Sequence, residues 1–242
     1  MFPGMGHVKT QGRIIGTAGG SLVGAGSTWA ASETVAETGR RGEIKTGELL
    51  APTVFTHGWT ILHDLKIPIP GIIANIDHVV VAGNQVVPID TKVWKPGFYW
   101  TAFGNTFRSG LSRFKYADTK TFKMAYESLP RFLRQHGCSS FVRIPLVAVW
   151  SSSESRKPNL TFLRVDTARA IPAERLERRL RRLLPNQAAD PQIVAALSNL
   201  VAANQKGSVV PRQRTSSGLD DDPFRQRYAA TPATSLHDGW DL

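Results

Sequence analysis

Residues 74–94 read ANIDHVVVAGNQVVPIDTKVW, and the architecture of the chain follows from this stretch. Two runs rich in β-branched residues flank the dipeptide Gly83-Asn84, a pattern that strongly predicts a β-hairpin with a two-residue turn. Counting outward from the turn assigns each residue of the first strand a directly opposed residue of the second. This register places Asp77 opposite Asp90.

The opposed acids form a non-hydrogen-bonded pair in this register, with Cα atoms only about 4.5 Å apart. Two carboxylates placed in this way on one face of a sheet repel each other. Lys92 lies two residues beyond Asp90 and points to the same side of the strand. His78 points away from Asp77 and is predicted to be structural. Two acids and one lysine thus converge on one spot.

Two interpretations of this convergence stay open on spacing alone. In the first, Lys92 forms ordinary salt bridges with both acids on a solvated face, because structural ion-pair networks also cluster charges. In the second, Asp77 and Asp90 hold a hard cation such as Mg²⁺ or Mn²⁺, which takes one or two carboxylates and keeps water and phosphate oxygens as its other ligands. Such a cation polarises a phosphodiester and lowers the pKa of bound water. The adjacent lysine can then orient that water or stabilise the negative charge that builds on the phosphate.

The flanking sequence predicts the remaining elements of an α/β fold. Pro88 lacks an N–H, which indicates that the neighbouring strand is absent or diverges at this point. Pro52 is expected to end the helix that precedes the hairpin, and Pro130 to kink or shorten a later helix. Helices are predicted over 32–51, 118–135, 173–184 and 191–204, and further strands over 59–65, 143–151 and 160–166.

Composition divides the chain into four regions. Residues 1–31 are rich in Gly, Ala and Ser and are expected to be a flexible leader. Residues 32–166 are predicted to form the α/β domain and residues 167–204 a small helical appendage. Residues 205–242 are low in apolar side chains and are predicted to be a disordered tail.

The leader also raises the question of a membrane. Gly16, Gly20 and Gly24 have the GxxxG spacing that is typical of contacts between membrane helices. The same segment contains too much Gly, Ser and Thr to span a bilayer convincingly. A membrane-associated assembly protein is therefore kept as an alternative hypothesis, and a membrane partner is not expected.

Net charge indicates the class of binding partner, and cysteine content indicates the redox compartment. The chain of 242 residues contains 30 Lys and Arg against 19 Asp and Glu, which gives a formal net charge of +11. Such an excess points to a polyanionic partner, usually nucleic acid. The single cysteine, Cys138, excludes an intramolecular disulfide framework. It predicts no disulfide-linked partner and fits a reducing, cytoplasmic compartment.

Basic and aromatic residues are interleaved in residues 91–134, where cations far outnumber acids. Interleaving of this kind suits a surface that tracks phosphates and stacks on unpaired bases. The alternative is that the aromatic residues are core and the cations only solubilise the outer face. We assign phosphate contacts to four cations that follow the hairpin: Lys95, Arg108, Arg113 and Lys115.

Three segments together resemble a known family: GEIKTGELLAP (42–52), GWTILHDLKIP (58–68) and the hairpin stretch. They are similar to the nuclease-related domain, NERD, of the PD-(D/E)xK, restriction-endonuclease-like superfamily. The resemblance covers about residues 40–150. It implies an α/β, restriction-endonuclease-like core with a mixed β-sheet flanked by helices, and metal-dependent phosphodiester hydrolysis.

The resemblance also implies a role for each motif residue. Asp77 is then the first metal ligand, Asp90 the second acid and Lys92 the motif lysine. The helical glutamate of the family aligns best with Glu43, which helical periodicity also favours over Glu48. Both glutamates follow a glycine, so both stay candidates.

The sequence thus predicts a Mg²⁺-dependent nuclease whose partner is nucleic acid, with DNA favoured. The first alternative is a nucleic-acid-binding module that has lost catalysis, and the second is the membrane-associated assembly protein. The Asp–Asp–Lys set favours the nuclease, because a pure binder gains nothing from two acids that face phosphate.

Overall fold

The computed structural model describes residues 12–20, 33–72, 74–115 and 121–201 of the chain. In chain order the elements are β1 (Ile14–Ile15), α1 (Glu33–His57), β2 (Thr60–Lys66), β3 (Asn75–Ala82), β4 (Gln85–Trp94), β5 (Gly97–Ala102), β6 (Asn105–Arg108), β7 (Ser112–Arg113), α2 (Thr121–Gln135), β8 (Phe141–Val142), β9 (Leu146–Ser151), β10 (Pro158–Phe162), β11 (Arg169–Pro172), a 3₁₀ helix (Ala173–Arg175), α3 (Leu176–Leu183) and α4 (Pro191–Ser198).

The predicted hairpin is confirmed as β3 and β4. Its register runs from Ala82 opposite Gln85 to His78 opposite Ile89, as counting from the turn predicts. Gly83 has a φ of 53°, in the left-handed region that a two-residue hairpin turn requires and that glycine enters without strain.

The hairpin lies inside a mixed sheet. Its strand order is β1-β2-β3-β4-β9-β11, and β8 also pairs with β4. β4 is antiparallel to β3 but parallel to both β8 and β9. Along this second edge β4 pairs with β8 at Gln85 and Val86, and with β9 from Ile89 onward. Pro88 therefore lies between two neighbouring strands, at the divergence that its missing N–H predicts.

Helices pack on this sheet through two separate cores, which confirms the α/β class. The first core joins α1 and α3 to the sheet, and the second joins α2 and α4 to it. Fully burying one such aliphatic side chain contributes about 1.5–3 kcal/mol. Representative members are Leu50, Ile61, Val80, Ile89 and Leu180 in the first core, and Leu62, Val79, Leu129, Leu133, Ile193 and Leu197 in the second.

The prediction that Pro52 ends its helix is wrong. Helix α1 continues through Pro52 to His57, and α2 likewise contains Pro130. Each proline removes one helical hydrogen bond. Val54 in α1 and Leu133 in α2 are nevertheless buried in the core, and their burial holds the turn after each proline in place.

Two regions expected to lie outside the domain contribute to it. Within the leader, Ile14 and Ile15 form β1, which pairs with β2 in parallel, so this part is a sheet edge. Residues 167–201 are not a separate appendage, because β11 pairs with β9 and both α3 and α4 join the cores. Residues 1–11, residues 21–32 and the predicted tail, 205–242, lie outside the described residues.

A second sheet follows the hairpin, with strand order β10-β5-β6-β7. The sequence predicts a strand at 160–166 but none at the positions of β5, β6 and β7. The first of these strands is attached to β4 by an aromatic contact, since Trp94 stacks on Tyr99 with ring centroids 5.0 Å apart. Among the described residues, no helix is long and apolar enough to cross a membrane.

Candidate active site

Asp77 lies where the hairpin ladder opens. The last pair of the ladder is His78–Ile89, and one further step would place Asp77 opposite Asp90. Beyond the ladder, the backbone N–H of Thr91 donates to Oδ2 of Asp77 at 2.7 Å. The half-buried carboxylate therefore caps the open end of the β3–β4 pairing and is held firmly against β4.

Asp90 and Lys92 form a close ion pair on β4. Nζ of Lys92 lies 2.5 Å from Oδ2 of Asp90, whose side chain is only 10% exposed. This oxygen accepts no hydrogen bond of regular geometry from the described part of the chain. Burial opposes the charge on Lys92, but the negative charges of Asp90, Asp77 and Glu43 outweigh it and raise the lysine pKa. Lys92 is therefore an ammonium at every physiological pH.

Helix α1 brings Glu43 to the same place because the preceding residue has no side chain. A Cβ on Gly42 would lie 2.6 Å from Cγ2 of Val93 and 3.2 Å from Cγ2 of Thr91. The helix backbone can therefore lie directly against β4. Burial, followed by the negative charge of Asp90, raises the pKa of Glu43 to about 7.

Two of the carboxylates, Asp77 and Glu43, have raised pKa values because they are buried close to other negative charges. Burial raises the pKa of Asp77 well above its ordinary value, and the charges of Asp90 and Glu43 raise it further. The positive charge of Lys92 lowers the pKa of both Asp77 and Glu43. One ammonium does not balance three acids, so the site favours either an additional proton or an additional cation.

Asp64 is a fourth acid at this site, and the sequence motifs do not predict a role for it. It lies in β2 with a φ of 57°, is buried, and accepts a hydrogen bond from Nδ2 of Asn75 at 2.8 Å. Its charge also raises the pKa of Glu43. The sequence feature that points to Asp64 is LHDL (62–65), in which an acid interrupts an apolar strand.

A turn of the leader covers these acids. The Gly20 N–H donates to the Thr17 carbonyl at 3.1 Å, and the Gly19 N–H donates to the Glu43 carboxylate. A Cβ on Gly20 would lie 3.4 Å from Oδ2 of Asp64. The glycines at 19 and 20 thus let the backbone approach two carboxylates closely.

A buried chain of hydrogen bonds connects α1 to the three strands β2, β3 and β4. Oγ1 of Thr46 donates to the Gly42 carbonyl, and Oγ1 of Thr91 donates to Thr46, both at 3.0 Å. Since the Thr91 hydroxyl has one proton, Nε2 of His78 must donate to it at 3.2 Å. Nδ1 of His78 then accepts from Nδ1 of His63 at 2.7 Å. His78 is structural, as predicted from its direction.

Both histidines in this series of hydrogen bonds, His63 and His78, are neutral. Burial lowers the pKa of His63 to about 4, and burial together with His63 lowers that of His78 well below its ordinary value. The hydrogen-bond directions also require a neutral His78, because its Nδ1 accepts a bond and must therefore be unprotonated. This series of hydrogen bonds fixes the helix that carries Glu43 to the strand that carries Asp90.

The donor set fits a hard divalent cation. Asp90 has a buried oxygen without a regular hydrogen bond, and Asp77 keeps one oxygen outside its bond to Thr91. The described residues contain no group of three or more His, Cys, Asp or Glu arranged to hold a metal ion. Two carboxylates are, however, the usual protein contribution to a Mg²⁺ site, where water and phosphate supply the rest.

The four predicted phosphate contacts lie in or beside the second sheet. Arg113 is in β7, and Lys95 and Lys115 flank the sheet strands, all three exposed to solvent. Arg108 in β6 is half-buried, so its guanidinium is less available than the other three cations.

Glu43→Gln is expected to stabilise the metal-free protein at alkaline pH. The folded pKa of Glu43, about 7, lies above its ordinary value of 4.5, so its stabilising contribution is complete below about 4.5 and is lost as the pH rises through 7. At pH 8 the substitution should raise the free energy of unfolding by about 1–2 kcal/mol, after allowance for partial exposure. At pH 4.5 it should change little.

Urea unfolding at both pH values, with chelator present, measures this difference. Glu48→Gln is the matched control, because Glu48 is exposed on the same helix and should change nothing at either pH. An equal response of the two variants would contradict the placement of Glu43 among the acids.

Part of the chain matches a known protein family. The family model described as "Nuclease-related domain" matches residues 38–143, which confirms the resemblance that the sequence motifs indicate. The matched segment contains Glu43, Asp77, Asp90 and Lys92. No curated protein and no solved structure matches the chain.

Proposed function

We propose that the nuclease-related domain of this chain is a Mg²⁺- or Mn²⁺-dependent nuclease that hydrolyses phosphodiester bonds, with DNA as the favoured substrate. The observation that carries the proposal is the buried Asp90 oxygen beside Lys92, with Asp77 and Glu43 acting on the same lysine. A structural ion pair needs one acid. Three acids around one ammonium leave negative charge that a divalent cation would neutralise.

Each residue of the cluster has a distinct role in this proposal. Asp77 and Asp90 would hold the cation, which when bound supplies Lewis-acid polarisation of the phosphodiester and an acidified water. Lys92, charged at neutral pH, stabilises the negative charge that develops on the phosphate. Glu43, with a pKa of about 7, is suited to orient the attacking water and accept its proton, or to assist at the cation.

The cations after the motif would hold the polyanion. Lys95, Arg113 and Lys115 are exposed and carry no group suited to leaving-group or water chemistry, so we assign them to phosphate contacts, together with the half-buried Arg108. Phosphate contacts position a nucleic acid without reading its sequence.

A cleavage assay on the whole chain tests the proposal. Supercoiled plasmid and a single-stranded oligonucleotide should be cut with Mg²⁺ or Mn²⁺ and left intact with chelator. The same cations should raise the unfolding free energy in a saturable manner, by about 2.7 kcal/mol at a concentration one hundred times the dissociation constant.

Asp77→Asn is the control for the metal. It keeps a carbonyl oxygen for the Thr91 N–H but should remove most of the cation-induced stabilisation. Nucleic-acid binding without cleavage or saturable cation binding would instead establish the inactive binding module.

A further inference from the structure

The second sheet presents two chemically different faces. Tyr99 points inward and packs on Trp94 and Phe114, with ring centroids 5.0 Å from each. Its neighbours in β5, Phe98 and Trp100, must point to the other side, because successive residues of a strand alternate. Within the described structure, no other helix or strand packs extensively against that outer face.

One row of residues crosses the outer face in register. Phe162 of β10 is the partner of Trp100 in β5, Trp100 is the partner of Phe107 in β6, and Phe107 is the partner of Arg113 in β7. The Trp100 and Phe107 rings stack with centroids 4.6 Å apart and planes 23° apart. Phe98 joins the row through an edge contact with Phe162 at 5.9 Å. We call these five residues the aromatic row.

The aromatic row is open to solvent mainly at its two most exposed rings, Phe98 and Phe162. Phe162 is 65% exposed and Phe98 is 40% exposed, while Trp100 and Phe107 are half-buried. Trp100 is oriented by a hydrogen bond from Nε1 to the Gly110 carbonyl at 3.0 Å. A contiguous set of exposed rings on a sheet is unfavourable in water and is typical of a binding surface.

The charges around the row select the class of partner. Arg113 ends the row, and Lys95, Lys115 and Arg164 are also exposed in or beside this sheet. A second copy of a chain with net charge +11 would bring like charges together at this surface. A partner with flat apolar faces and regularly spaced negative charges meets both features, and nucleic acid with unpaired bases is that partner.

We infer that the aromatic row binds single-stranded nucleic acid, with bases stacked on Phe98, Phe162 and Trp100 and the backbone contacted by Arg113. A duplex hides the faces of its bases, so it can use the cations of this surface but not its rings. The inference rests on the proposed function and assigns it a substrate class: single strands or unpaired segments. Trp94, two residues after Lys92, stacks on β5, so the row is fixed to the strand that carries the motif lysine.

The test is binding of a single-stranded DNA oligonucleotide and of the matched duplex to the whole chain, with chelator present so that nothing is cut. Stacking contributes about 1–3 kcal/mol per base, which is a factor of about 5 to 150 in affinity. The double variant Phe98→Ala/Phe162→Ala should therefore bind the single strand at least about tenfold more weakly. Its affinity for the duplex should change less than about twofold, and its salt slope should be unchanged because no phosphate contact is lost.

Two further variants keep the outcome interpretable. Phe55→Ala removes an exposed phenylalanine (72% exposed) from α1, away from the row, and should not change either affinity. Phe162→Tyr keeps a stacking ring and should retain wild-type affinity for the single strand. Circular dichroism and thermal unfolding check that each variant is folded.

The inference is overturned if the double variant binds the single strand as well as the wild type does, or if single strand and duplex weaken equally. It is also overturned if the substitutions change only the oligomeric state, since the row would then be a contact between copies. Metal-dependent plasmid cleavage by the wild type is scored separately. The cleavage assay can therefore fail while the binding pattern is as expected, and the binding pattern can fail while cleavage is observed.

Discussion

Replacing Asp90 with asparagine is expected to reduce metal-dependent cleavage about a hundred- to a thousandfold while the protein stays folded. The substitution removes one anionic oxygen from the position where Asp77 and Asp90 would share a cation. An amide oxygen remains, but a neutral ligand attracts a hard divalent ion far less strongly. The measurement is the cleavage rate of plasmid at saturating Mg²⁺, together with calorimetry of Mg²⁺ binding.

The stability of the same variant separates the two interpretations of the ion pair. The charge of Asp90 raises the pKa of both Glu43 and Asp77, so its removal relieves repulsion between like charges. Lys92 still has those two acids as partners. Without metal, the unfolding free energy of Asp90→Asn should therefore equal or exceed that of the wild type.

A loss of several kcal/mol would instead show that the Asp90–Lys92 salt bridge is structural, since breaking a buried pair leaves an uncompensated charge. Asp166→Asn is the matched control. Asp166 is an exposed acid in the loop after β10, and its replacement should affect neither cleavage nor stability.

The hairpin could be predicted because its determinants are local. A Gly-Asn turn and alternating β-branched residues define two strands and their register without help from the rest of the chain. Asp90 and Lys92 are on the same strand, so their convergence follows from the strand period alone. The exact partner of Asp77 does not follow, because the ladder opens at that residue and the Thr91 N–H turns to a carboxylate.

Other parts of the site depend on contacts between distant segments. The turn at 17–20 approaches Glu43 only when β1 pairs with β2, and a two-residue strand in a Gly-rich segment has no periodicity to detect. The strands β5, β6 and β7 are short, and aromatic residues lie in β5 and β6, so this segment resembles a basic, aromatic loop until its strands are paired. Pro52 was expected to end a helix, but core packing of the following turn prevails over local propensity.

Lys92→Ala is expected to lower the cleavage rate about a hundred- to a thousandfold and to leave most of the affinity for nucleic acid intact. The ammonium lies beside Asp90, so its proposed role is to stabilise charge that appears only in the transition state. The free energy of unfolding should also fall at pH 8, because three acids lose their shared cation. That loss should shrink as the pH falls and Glu43 becomes protonated.

The double variant Lys95→Ala/Lys115→Ala provides the contrast that identifies Lys92. Both of its lysines are exposed, and each phosphate contact that is lost should reduce the slope of log affinity against log salt by about 0.7–0.9. Affinity should weaken to a similar degree for every sequence, while the cleavage rate at saturating DNA is kept. The opposite pattern, with Lys92→Ala losing affinity and the double variant losing turnover, would contradict both assignments. If the double variant changes neither affinity nor salt slope, these cations only solubilise the surface, and the case for nucleic acid rests on Asp77, Asp90 and Lys92.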